Sequence, residues 1–135
     1  MNQLATHPSA VAGIQAMDDQ HGILLDTLNA LRQQLARGQR AVRISDQLMR
    51  LAEFTEMHFG CEESLLRRYG FPELDAHCMA HQALMNHIWR AVDSAERGEG
   101  VELLRMLGSV RGQYLEHVKG LDREYSEWLN AKGVY

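Results

Sequence analysis

Seven side chains in this sequence are typical metal ligands by type and position: His21, His58, Glu62, His77, His81, His117 and Asp122. Six of them fall into short spacings, H-x3-E at 58/62, H-x3-H at 77/81 and H-x4-D at 117/122, while His21 stands alone upstream. Residues four apart on a helix share a face, and imidazole together with carboxylate suits iron, zinc and manganese. The spacings predict a dinuclear metal site inside a helical bundle.

Apolar periodicity supplies the helices that must position these groups. Four seams alternate steps of three and four: Met17 to Leu35, Ile44 to Leu65, Leu74 to Ala95, and Leu103 through Tyr114 and Leu121 towards Trp128. Each is the buried stripe of an amphipathic helix. The only prolines are Pro8 and Pro72, so 9–71 and 73–135 contain no residue that forbids helix. Gly38, the run Tyr69-Gly70-Phe71-Pro72 and the run Gly98-Glu99-Gly100 mark the turns, and Asp18 or Asp19 is the expected cap of the first helix. Short connections make sequential neighbours antiparallel. The expected fold is all-α: an up-down-up-down four-helix bundle, one domain over 1–135, with helices near 18–37, 41–68, 73–97 and 101–130 behind an N-terminal arm, 1–17.

His21, His58, Glu62, His77, His81 and His117 occupy seam positions that would otherwise be apolar, and burying such groups is costly unless they are paired or metal-bound. Counted from a turn at 39, His21 lies 18 residues before and His58 19 after; counted from 99, His81 and His117 each lie 18 away. Equal counts mean equal height, so all four helices deliver ligands to one layer. Two six-coordinate ions have about 12 positions. Five imidazoles, two bridging carboxylates and a bridging oxo or hydroxo group leave one position open. Asp122 is the misfit: five residues after His117, it points about 140° away on an ideal helix. It reaches in from the flank, or the helix widens locally to a π turn.

Composition excludes several function classes. Hydrophobic residues make up 45% and charged residues 24%, with a net charge of −4. There is no basic stripe to bind nucleic acid, and Arg67-Arg68 reads as a solvated helix end. No apolar run reaches the roughly 20 residues of a membrane span, and the N-terminus lacks the charge and apolar core of a secretory signal. The expectation is a cytoplasmic monomer whose two cysteines, Cys61 and Cys78, are free thiols. His7 and His87 read as exposed bystanders, and Trp89 and Trp128 as residues that pack on or border the core. Glu63 reads as solvated, with a supporting contact to a ligand as the alternative.

The ordered set, Asp18-Asp19-Gln20-His21 followed by H-x3-E, H-x3-H and H-x4-D, resembles the hemerythrin family, specifically the bacterial hemerythrins. The likeness runs from about residue 14 to 128, and His58-Phe59-Gly60-Cys61-Glu62-Glu63 is especially similar to the family's second-helix motif. The resemblance implies a non-haem di-iron centre of two iron ions. His21 and His58 would bind one, His77, His81 and His117 the other, and Glu62 and Asp122 would bridge them. It also implies reversible dioxygen binding at the iron with fewer histidines, in an apolar pocket at Leu24, Phe59, Tyr114 and Val118. Tyr114 departs from the family's usual apolar residue, as Gln113 does from its frequent aromatic. The resemblance therefore implies a dioxygen carrier, store or sensor rather than an enzyme. The alternative is a di-iron redox enzyme, an oxidase, peroxidase or nitric oxide-handling protein, with Tyr114 in the ligand pocket.

Overall fold

The computed structural model describes residues 13–135, so most of the expected arm, with His7 and Pro8, lies outside the described residues. Helix α1 spans Gln15–Ala36, α2 Ser45–Tyr69, α3 Leu74–Glu96 and α4 Gly100–His117. A single π turn, Val118–Asp122, continues α4 directly into α5, Arg123–Asn130. The chain is a four-helix bundle with no strand among the described residues: α1 packs on α2 and α4, and α3 on α2 and α4.

The seams explain the packing. Met17, His21, Leu24, Leu28, Leu31 and Leu35 of α1 are all buried. One large apolar cluster runs from Leu24 of α1 through Leu51 of α2 and Leu84 of α3 to Val118 after α4. A smaller one gathers Ile14, Met17, Leu66, Phe71, Tyr125 and Leu129. The polar residues lie between the two in every helix, so the layer expected from sequence is sealed above and below by hydrocarbon.

Four local details differ from expectation. Helix α1 starts at Gln15, three residues before the expected boundary, and neither Asp18 nor Asp19 caps it. Extended Ile14 precedes the helix without a side-chain cap, and the Asp18 carboxylate instead accepts the Gly13 backbone N–H at 3.1 Å. The expected start of the second helix at 41 is a 3₁₀ turn, Ala41–Ile44, and the α-helix begins at Ser45. The π turn shifts the last seam by one position. Leu121 is only half-buried while Asp122, Tyr125, Ser126 and Leu129 are buried, and Trp128 borders the core against Phe71. In the second seam likewise, Leu66 is fully buried and Leu65 only partly.

Turn chemistry follows the sequence. Gly70 closes α2 at φ 71, where Phe71 N–H donates to Leu66 O at 2.9 Å and Gly70 N–H to Arg67 O. That left-handed stop suits glycine, which has no Cβ to clash. Arg67 and Arg68 are exposed in the last turn of α2, at the negative end of its dipole. Among the described residues, no helix is long and apolar enough to cross a membrane.

Candidate metal centre

All seven expected ligand residues converge at one level and are buried. Helix α1 brings His21, α2 His58 and Glu62, α3 His77 and His81, α4 His117, and the π turn Asp122. The π turn settles the misfit of Asp122: i→i+5 bonding returns a residue five places on to the face of His117, so Asp122 replaces Leu121 in the interior.

The two carboxylates each divide their oxygens between two sets of imidazoles. Glu62 Oε2 lies 3.0 Å from His21 Nε2 and 3.1 Å from His58 Nε2, and its Oε1 lies 2.9 Å from His81 and 3.4 Å from His77. Asp122 Oδ2 lies 3.2 Å from His21 Nε2, and its Oδ1 lies 3.1 Å from His77 and 3.0 Å from His117. The donor atoms form two compact groups sharing Glu62, one with His77, His81, His117 and Asp122, the other with His21 and His58.

These contacts fit a metal site better than a hydrogen-bond network. Ligands about 2.1 Å from a shared ion at right angles are about 3.0 Å apart, close to the separations found here. Short distances notwithstanding, His58 Nε2, His117 Nε2 and both Asp122 oxygens have no hydrogen-bond partner, although all are buried. Buried polar atoms in that condition call for a ligand or ion. The outer ring nitrogens strengthen the point. His58 Nδ1–H donates to Gln20 Oε1 at 2.7 Å and His81 Nδ1–H to Glu63 Oε2 at 2.8 Å. In the neutral tautomer each inner Nε2 then turns a lone pair towards Glu62, which is favourable only with a cation between them.

The charges respond to this crowding. Burial raises the Glu62 carboxyl, but His58, His21 and His77 outweigh it and hold the group well below the carboxylate range. Asp122 is likewise lowered, with burial and Glu62 outweighed by His117, His21 and His77. Burial acts to lower His77, yet Asp122 and Glu62 bring it up to about 9; His21 is raised well above 6.5 by Asp122, Asp18 and Glu62 against the same burial. Without metal, protons take the cation's place.

Several partners escape a reading of the sequence. Gln20, one residue before His21, orients a histidine of the neighbouring helix. Glu63, by contrast, takes the alternative expected of it from sequence: its carboxylate, 27% exposed, braces His81. Asp18 lies 3.5 Å from His21 Nδ1. Tyr125 Oη donates to Glu62 Oε2 at 3.0 Å, and burial followed by the Glu62 and Asp122 charges raises its pKa well above 10. The available signal for Tyr125 was its place one turn after Asp122.

Leu24, Phe59, Tyr114 and Val118, the expected pocket residues, are all buried beside the layer. Phe59 stacks on His81 with centroids 3.8 Å apart at 8°. Tyr114 meets the His21 ring edge-on at 5.9 Å, and its buried hydroxyl has no partner. Leaving such a group unsatisfied costs about 1–3 kcal/mol. Both cysteines are free thiols outside the two donor groups, and burial and Glu63 raise Cys78, which keeps it protonated. His87 is half-buried rather than exposed, its Nδ1 bonded to Gln113 Oε1 at 2.8 Å. Trp89 lies at the surface, 37% exposed, and donates from Nε1 to Glu56.

Four helices enclosing a buried layer of histidines and carboxylates define a bundle-type metal-binding protein. Residues 12–129 match the family described as the hemerythrin HHE cation binding domain, and the chain belongs to the hemerythrin family. It is 29% identical over 114 residues to a bacteriohemerythrin of Methylococcus capsulatus (strain ATCC 33009 / NCIMB 11132 / Bath), covering 84% of this chain and 86% of that one. It is 27% identical over 121 residues to a bacteriohemerythrin of Stenotrophomonas maltophilia (strain R551-3), covering 88% and 76%. No solved structure matches the chain.

Proposed function

We propose that this protein binds dioxygen reversibly at a non-haem di-iron centre. The observation that carries the reading is the unequal sharing of donors: His77, His81 and His117 on one side, His21 and His58 on the other, with Glu62 and Asp122 serving both. Two ions held this way would leave the position beside His21 and His58 open. Ferrous iron there would supply the electrons that make dioxygen binding favourable.

The chain's own residues do the rest. Gln20 and Glu63 fix the tautomers of His58 and His81, so that each Nε2 presents a lone pair inward. Tyr125 holds one Glu62 oxygen from outside, which fixes the orientation of the carboxylate that two ions would share. Leu24, Phe59 and Val118 exclude water from the open side and leave an entering apolar gas with little solvent to displace. Both cysteines are free thiols, which suits a reducing cytosol, and we place the protein there as a monomer.

An optical titration tests this reading. Anaerobically reduced, iron-loaded protein should gain a visible charge-transfer band on admission of dioxygen and lose it when the gas is removed. A band that never forms, or that passes directly to a stable ferric spectrum, would sink reversible binding. It would favour the second reading, a di-iron redox enzyme, for which the unpartnered hydroxyl of Tyr114 is the supporting observation.

A further inference from the structure

Tyr114 is the one polar side chain among the four residues lining the open side, and the family resemblance predicts an apolar group in its place. The side chain is 2% exposed. Its ring is held edge-on to His21, a ligand of the side with fewer histidines. Leu24, Phe59 and Val118, buried in the same apolar cluster, carry no side-chain group that can accept a hydrogen bond. Neither Glu62, Asp122 nor Asp18 accepts from the hydroxyl, although all three charges act on it. A buried donor with no acceptor, beside a position proposed to take an exogenous ligand, is a half-made interaction.

We propose that Tyr114 Oη donates a hydrogen bond to the ligand bound beside His21 and His58, so that the pocket favours ligands whose outer atom is an acceptor carrying negative charge. The inference rests on the open position argued above. A donor of this kind favours a ligand that carries negative charge over one that stays neutral, because it stabilises charge on the outer atom. It distinguishes this chain from a pocket closed by hydrocarbon alone.

The test uses the full iron-loaded, oxidised protein and azide as the probe, with Tyr114→Phe as the variant. Phenylalanine keeps the ring against His21 and removes only the hydroxyl. Azide affinity, followed by its visible charge-transfer band, should fall about tenfold in the variant. The vibrational frequency of bound azide should shift between H2O and D2O in the natural protein and not in the variant. Equal affinity and no isotope shift would overturn the donor role while leaving the open position intact. A tyrosinate-to-iron band in azide-free protein, absent from the variant, would overturn it in favour of direct ligation. Failure of the natural protein to bind azide at all would overturn the open position, and the donor role with it.

Discussion

Raising the pH of the metal-free protein from 6.5 to 9 removes the proton that His77 holds between Asp122 and Glu62. Burial acts against that proton, but the two carboxylates prevail and set the folded value at about 9, against 6.5 for a free imidazole. A group whose pKa is raised on folding contributes its full stabilisation below 6.5 and loses it as pH climbs through 9. At about 1.4 kcal/mol per unit, His77 accounts for about 3 kcal/mol of stability lost across that window. His21, also raised, adds in the same direction. Glu62 and Asp122 are lowered, so their contribution is present above the ordinary carboxylate range and lost in acid. The metal-free protein should therefore be most stable near pH 5–6, between those two limits. Metal affinity should run the opposite way, about tenfold tighter per pH unit for each imidazole proton displaced, because binding must remove those protons. Urea unfolding of the metal-free protein at pH 6, 7, 8 and 9, with His77→Gln alongside, measures the effect. Stability that is flat or rising from 6.5 to 9, or a variant that keeps the full slope of the natural protein, would refute the reasoning.

Other substitutions address separate parts of the site. Tyr125→Phe removes the hydroxyl that donates to Glu62 and should destabilise the metal-free protein by about 1.5–3 kcal/mol, read from denaturant midpoints; an unchanged midpoint would contradict that bond. Glu63→Ala frees the His81 ring and should weaken metal binding about 10- to 100-fold in competition with a chelator, whereas equal affinity would return Glu63 to a purely solvated role. His117→Ala should remove one bound iron while circular dichroism still reports the helical bundle, and an unchanged iron content would exclude His117 as a ligand.

The fold was legible because the apolar period holds through most of each helix and slips only at the end of α2 and at the π turn. The polar layer was legible because ionisable residues stand where that period demands hydrocarbon. His58 and Glu62 are conspicuous in a seam of leucines, and the counts from the turns place them level with His21 and His81. What stayed hidden are residues on the flanks of those seams. Gln20 looks like any solvent-facing polar side chain until a neighbouring helix places an imidazole against it, and the same contact decides between the two roles the sequence leaves open for Glu63. Asp18 carries the composition of a helix cap, yet its carboxylate folds back to Gly13, and the helix starts three residues earlier than expected. The π turn was visible only as a misfit. H-x4-D is compatible with a flank position or with a widened turn, and the choice depends on which of Leu121 and Asp122 the bundle buries. Burying Asp122 brings carboxylate oxygens to imidazoles on α1, α3 and α4 together, and that contact set lies beyond the reach of local sequence.

The most direct test of the central claim is a count of iron in protein loaded under anaerobic conditions and freed of excess metal. Two irons per chain, both lost from a Glu62→Ala, Asp122→Ala double variant that remains helical, is the expected result. One iron per chain, or two that survive loss of both carboxylates, would contradict a centre bridged by Glu62 and Asp122.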